Sequence, residues 1–252
     1  MNIQELKQQW LAEEAIAHIH GWDFSHIDGR CVDIGDLPWN YEAIVKSYRR
    51  DHHKLLDIDT GGGEVLLTFG HPHENTYATE GYAPNVRLCR ELFTPLGVHF
   101  HEMSDYSHMP FEDNTFDLII NRHGSYDASE LHRTLKPGGL FITQQVGDDN
   151  DRELVDLLLP GLPKPFPGCN LTEQSRIFRE VGFTILRGEE CFRPMRFYDT
   201  GALVWFARII QWEFPGFSVE KCFDRLLEAH HLIEQNGYAQ GTTHRYLLIA
   251  QK

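Results

Sequence analysis

The chain has 252 residues, enough to bury a substantial core as one large domain or as a domain with an added lobe. Its 41% hydrophobic and 24% charged residues are the balance of an ordinary globular fold. The formal net charge of −14 repels phosphate backbones, and no dense Lys/Arg block offsets it, so nucleic acid is disfavoured as a partner.

The opening "MNIQELKQQWLAEEAIAHIH" lacks a basic end followed by an apolar core and does not read as a signal peptide. Ile3, Leu6, Trp10, Leu11, Ala15 and Ile19 recur close to helical spacing, which predicts a first helix. A loop rich in Gly and Asp follows. Residues 38–50, "PWNYEAIVKSYRR", predict a second helix with Pro38 near its first turn.

From residue 54 the pattern changes to short β-like runs: "KLLDI" (54–58), "NTYAT" (75–79), "GVHFH" (97–101), "TFDLIIN" (115–121) and "GGLFITQQV" (138–146). Helical segments separate the first three of these and precede the last, where "KPGG" reads as a helix stop. A Pro-rich connector, a helix "LTEQSRIFREVG" and a strand "FTILRGEEC" come next, and "HRYLLIA" (244–250) is the final strand. Between those two strands lie two predicted helices, 199–212 and 219–236, the second with Ser218 as N-cap and Gly237 as stop. The stretch "ALVWFARIIQW" inside the first is broken by Arg208 and Gln211, and at 11 residues it is well short of a membrane span.

This alternation predicts an α/β fold: a doubly wound, mainly parallel seven-stranded sheet with helices on both faces. An N-terminal helical cap (1–50), a core (51–192), a helical insertion before the last strand (193–240) and the final strand (241–252) are the expected parts. The cysteines at 31, 89, 169, 191 and 222 are scattered and never in C-x-x-C spacing, which favours reduced thiols in a cytoplasmic protein.

The turn "LLDIDTGGGEVLL" (55–67) leaves a strand and opens a helix, and its glycines let a ligand approach the main chain. A nucleoside-triphosphate loop would need Gly-Lys-Ser/Thr, which is absent. A nicotinamide loop needs G-x-G-x-x-G; Gly61 and Gly63 fit, but Leu66 stands at the third position. There remains a nucleoside-like ligand without phosphates, whose ribose a carboxylate at the end of the next strand would hold. Glu80 is that carboxylate, and Asp105 follows just past the third strand.

From "LLDIDTGGGE" through "ATEGY", "SDYSHMPFEDNTFDLIINRH" and "LHRTLKPGGLFITQQVG", residues 50–150 resemble class I S-adenosylmethionine-dependent methyltransferases. The resemblance implies S-adenosylmethionine as cofactor. Asp57, Gly61 and Gly63 would lie under its methionine part and Glu80 on its ribose, with Gly81 and Tyr82 beside the adenine. Asp105 and the backbone of Tyr106 would read the adenine edge. Asn121, Arg122 and His123 would border the transferred methyl, with Arg122 toward the acceptor and His123 the one acid–base candidate. Asp59 departs from the pattern, standing where the family usually has the first glycine; a carboxylate there can attract the cofactor's ammonium. "NRHG" replaces the N/D-P-P-Y/F segment of amino-methylating nucleic-acid enzymes, which points to a small-molecule acceptor. The alternative is a non-catalytic binding or regulatory module whose turn Asp59 has degraded.

The insertion carries Trp205 and Phe206, expected to form an apolar acceptor wall, with Trp10 and Trp22 opposite. Three H-x-H pairs, His18/His20, His71/His73 and His99/His101, have no third ligand at a fitting interval and no H-E-x-x-H, so no metal site is expected. No feature of the sequence fixes an oligomeric state.

Overall fold

The computed structural model describes residues 2–18 and 23–252; Ile19, His20 and Trp22 lie outside the described residues. The chain divides into two compact units. The first comprises residues 1–36, 148–167 and 191–244, and the second 37–147, 168–190 and 245–252.

In the first unit, α1 (Ile3–Ile16) starts with a capping box in which Asn2 and Glu5 each accept the other's backbone N–H. Strand β1 (Cys31–Asp33) pairs antiparallel with the end of a long strand, β7 (Thr184–Phe197). Three further helices, α6 (Arg152–Leu158), α8 (Thr200–Ile209) and α9 (Phe223–Asn236), complete it. Its core gathers Leu6, Trp10, Leu154, Phe197, Trp205 and Leu226. Helix α9 begins after Cys222 rather than at Ser218, whose hydroxyl instead accepts from Lys221 N–H. The expected stop holds: Gly237, at φ 85°, donates to the Ile233 carbonyl.

In the second unit, α2 (Tyr41–Tyr48) is capped by Asn40, which accepts from Ala43 N–H, so Pro38 lies outside the helix. There follow β2 (Leu55–Ile58), α3 (Glu64–Thr68), β3 (Thr76–Glu80), α4 (Ala83–Phe93), β4 (His99–Glu102), β5 (Phe116–Arg122), α5 (Ala128–Thr134) and β6 (Leu135–Val146). Helix α7 (Leu171–Val181) leads into the start of β7, and β8 (Ala239–Gln251) ends here. All of β2 is buried, and β5 nearly so, as befits central parallel strands covered on both faces. Phe141 of β6 stacks on Phe178 of α7 with ring centroids 5.5 Å apart. "LKPGG" belongs to β6, so α5 stops one residue earlier than the sequence suggested.

The strand order is β1-β7-β8-β6-β5-β2-β3-β4, eight strands where seven were expected. The addition is β1, which at three residues is too short to show any periodicity. Pairs β2–β3, β3–β4, β2–β5 and β5–β6 are parallel, whereas β6–β8 is antiparallel. From β2 the chain winds outward through β3 and β4, then returns to β5 on the other side of β2. That reversal creates a crevice at the carboxyl ends of β2 and β5, where open α/β sheets bind ligands. Among the described residues no helix is long and apolar enough to cross a membrane.

Candidate active site

The glycine turn lies at this switch point. Gly61 has φ 67°, and a Cβ there would meet no atom within 4 Å, so open space lies over its main chain. Gly63 is constrained differently: at φ 86° its missing Cβ makes room for the Phe93 ring, which would otherwise lie 2.3 Å away. The first is therefore open and the second a packing position. Helix α3 has only five residues, so few peptide dipoles add at its start, in keeping with a ligand that needs no phosphate site.

Glu80, only 5% exposed, holds the turn together. Its Oε2 accepts from Gly61 N–H at 2.8 Å, and its Oε1 accepts from Gly81 and Tyr82 N–H at 2.9 and 2.8 Å. A carboxylate offers about four acceptor positions, so one remains free, on the oxygen beside Gly61. That suffices for one ribose hydroxyl; accepting two would require Gly61 N–H to let go. Gly81 is a close-approach glycine, since a Cβ would meet the Met103 carbonyl at 2.7 Å. The Tyr82 side chain is 65% exposed beside it.

Asp59 does not spoil the turn. Its φ of 54° is the left-handed conformation that the missing glycine would supply, and aspartate is among the residues that tolerate it best. Its carboxylate joins three loops: Tyr106 Oη donates to Oδ1, and Ser125 N–H donates to Oδ2 at 2.8 Å. Gly124 completes the fit, because a Cβ there would lie 2.3 Å from that of Asp59. A degraded turn would show none of these supports. The same bonds place the Asp59 carboxylate among protein donors, and they engage the Tyr106 hydroxyl, whose oxygen lies 3.2 Å from the Met103 carbonyl.

Beside it, Asp57 is buried at the end of β2 and accepts from Thr60 Oγ1 at 2.7 Å. Burial, with the charges of Asp59 and Glu80 nearby, pushes its carboxyl up to about 7 against the Thr60 hydrogen bond. Burial and Glu80 likewise push Asp59 to about 6, opposed by the Ser125 bond. A carboxyl raised in the folded state binds its proton more tightly there than in the unfolded chain. Stability is therefore fully present below the ordinary value of 3.8 and is lost as pH rises through about 7. Asp57→Asn should remove this loss, so its urea midpoint should gain on the wild type between pH 4 and pH 7 and then run parallel. A constant difference across that range would show that Asp57 titrates as an exposed carboxyl.

Across the crevice, Asn121 is the last residue but one of β5, with its side chain fully enclosed. Its amide donates to the Ile58 carbonyl at 2.9 Å, and its Oδ1 accepts from Thr143 Oγ1 and Gln145 Nε2. It ties β2, β5 and β6 together. Arg122 is exposed. His123, at φ 62°, donates its backbone N–H to the Gln144 carbonyl at 2.9 Å, and its Nε2 lies 3.1 Å from Gln144 Nε2. Burial and the cations Arg245 and Arg122 push its imidazole down to about 3, so it is neutral at physiological pH and is no proton donor in the acid–base sense. Trp39, Tyr41, Gln144 and Gln145 were missed by the sequence reading. The one available signal was a pair of glutamines closing the apolar run "FIT".

Asp105 is exposed, and one of its oxygens accepts from both Ser107 N–H and Oγ, leaving the other free. Trp205 and Phe206 are 2% and 6% exposed in the core of the first unit. Of the paired histidines, His71 Nε2 meets the His53 carbonyl, and His99 stacks on Tyr77. Among the described residues one group has metal-like spacing, Asp148, Asp149 and His244, with ligand atoms within 4.8 Å of one another. The Lys164 ammonium already bridges its two carboxylates, at 3.3 and 2.6 Å.

The second unit thus has the fold of the class I methyltransferases, with a glycine turn and acidic strand ends at the switch point. Structures of two other proteins share the fold: a Bacillus halodurans C-125 chain with the proposed role of methyltransferase, and the YcgJ protein of Bacillus subtilis. The first is 16% identical at TM-score 0.58, covering 83% of this chain and 96% of its own. The second is 18% identical at TM-score 0.58, covering 84% and 97%. Residues 56–143 match the family described as "Methyltransferase domain". Among curated relatives, demethylmenaquinone methyltransferase of Chlamydia muridarum is 31% identical over 115 residues, 41% of this chain and 48% of that one. The phthiotriol/phenolphthiotriol dimycocerosates methyltransferase of Mycobacterium tuberculosis is 26% identical over 156 residues, 54% of each. The chain spans about half the length of these relatives.

Proposed function

We propose that the protein transfers the methyl group of S-adenosylmethionine to a small, largely apolar acceptor. The carrying observation is the switch-point turn, where open main chain at Gly61 adjoins three carboxyl groups, Asp57, Asp59 and Glu80. That set of acceptors suits a ligand with a diol and positive charge and disfavours a pyrophosphate. S-adenosylmethionine, when bound, supplies a methyl carried on a sulfonium, whose C–S bond breaks with its electron pair going to sulfur. The chain's part is to hold the nucleoside through Glu80, to attract the cationic end through Asp57 and Asp59, and to exclude water. The two named relatives act, by their names, on demethylmenaquinone and on phthiotriol or phenolphthiotriol dimycocerosates, which supports a small-molecule acceptor.

Titration calorimetry with S-adenosylmethionine, S-adenosylhomocysteine and NAD⁺ tests this reading. The two sulfur nucleosides should bind and NAD⁺ should not. No heat with millimolar S-adenosylmethionine would sink it.

A further inference from the structure

Two non-glycine residues on the rim of the crevice, Asp59 and His123, are held at positive φ. Asp59 is explained by its carboxylate bridge. His123 is not, unless its ring is wanted where it stands: one residue beyond the end of β5 and next to Gly124, which packs on Asp59.

The ring's contacts fix its chemistry. Trp39 Nε1–H donates to Gln144 Oε1 at 2.8 Å, a buried bond. An indole nitrogen can only donate, so Gln144 must turn its carbonyl to Trp39 and its NH₂ to His123. That NH₂ faces His123 Nε2 at 3.1 Å, so Nε2 must be the acceptor and the proton must sit on Nδ1. Among the described residues no protein group bonds Nδ1. From this chain of donors we infer that Trp39 and Gln144 are positioning residues that lock His123 as the neutral Nδ1–H tautomer, a fixed hydrogen-bond donor facing the acceptor.

This inference rests on the methyl-transfer reading and narrows the substrate. A ring whose Nε2 is engaged and whose Nδ1 already carries a proton cannot deprotonate the acceptor. It can donate to an oxygen on which negative charge rests. The acceptor class is then a molecule with a carbonyl, enolate or phenolate oxygen at or beside the methylated atom, and an amine acceptor that must lose its proton to His123 is excluded. Burial and the nearby Arg122 and Arg245 keep the ring from taking a second proton.

The test is ¹⁵N NMR of the full chain labelled on histidine, with His123 assigned from the signals lost in His123→Asn. The expected spectrum shows a protonated Nδ1 and an unprotonated Nε2. Gln144→Glu replaces the NH₂ by an acceptor oxygen, so Nε2 should become protonated. Trp39→Phe frees the amide to rotate and should give a mixture, a second readout should Gln144→Glu fold poorly. In methyl-transfer assays Gln144→Glu should lower kcat about tenfold or more, the scale of a lost oriented donor, with S-adenosylmethionine affinity held within about threefold. His123→Asn, which keeps an N–H donor and tolerates left-handed backbone, should retain more activity than His123→Ala. A wild-type Nε2–H signal, or a tautomer indifferent to both relay substitutions, overturns the inference. Absence of S-adenosylmethionine binding by wild type overturns the functional reading instead and leaves the tautomer result to decide the relay.

Discussion

Glu80→Ala is expected to abolish measurable cofactor binding and to cost about 2–4 kcal/mol of stability, the sum expected when several donors lose a charged acceptor and recover part of it from water. A carboxylate at a strand end facing a cleft would ordinarily carry no packing, and its loss would leave the fold untouched. Here, however, three backbone N–H groups, those of Gly61, Gly81 and Tyr82, end on Glu80, and it is almost wholly enclosed. The bond to Gly61 matters most, because it joins the turn after β2 to the end of β3. Without it the open surface over Gly61 loses its shape before any ligand arrives. Glu80→Gln separates the two roles. Its one remaining carbonyl oxygen can still take Gly81 and Tyr82, while its NH₂ would oppose Gly61 N–H, so it should lose less stability than Ala yet still bind cofactor poorly. Urea denaturation beside calorimetry reads both effects. A Glu80→Ala protein as stable as wild type would show that the three N–H groups find other partners.

The strands of the second unit were legible because parallel strands buried on both faces leave continuous apolar runs, as in "LLDI" and "FDLII". The places of the glycine turn and of Glu80 were legible for a similar reason: they fall at set intervals along one βαβ unit, after β2 and at the end of β3. What could not be read are contacts between segments far apart in sequence. Asp59 meets Tyr106 47 residues on and Ser125 66 residues on, and nothing local distinguishes a latch from a spoiled glycine. Trp39 and Gln144 are 105 residues apart, so their pairing emerges only when α2 is laid against the ends of β5 and β6. The sequence also overvalued exposed-looking aromatics. "ALVWF" reads equally as a wall or as a core, and burial alone separates the two.

For Trp205 that separation has a large expected consequence: Trp205→Ala should cost about 3–5 kcal/mol, the range for emptying a large aromatic site in a close-packed core. The helix it sits on is buried along nearly its whole length, from Thr200 to Ala207. The indole packs edge-on to Phe24 at 5.8 Å and lies 5.3 Å from the His26 ring. Little can move in to fill the gap, because the start of α8 is pinned. Asp199 caps it by accepting from Ala202 N–H at 2.8 Å and takes Arg30 in two bonds of 2.9 and 2.7 Å. Arg30 in turn reaches Glu13 of α1 at 2.7 Å, and Gly201 must be glycine for that guanidinium to pass, since a Cβ would lie 2.9 Å from it. A helix so anchored relaxes poorly, which puts the cost toward the upper end of the range. Trp205→Phe keeps most of the ring and should cost less than half as much. Hydrogen exchange would place the damage: α1, α8 and α9, whose side chains make this core, should lose protection first. A variant with wild-type melting behaviour and impaired methyl transfer would move Trp205 out of the core's account and into the acceptor's.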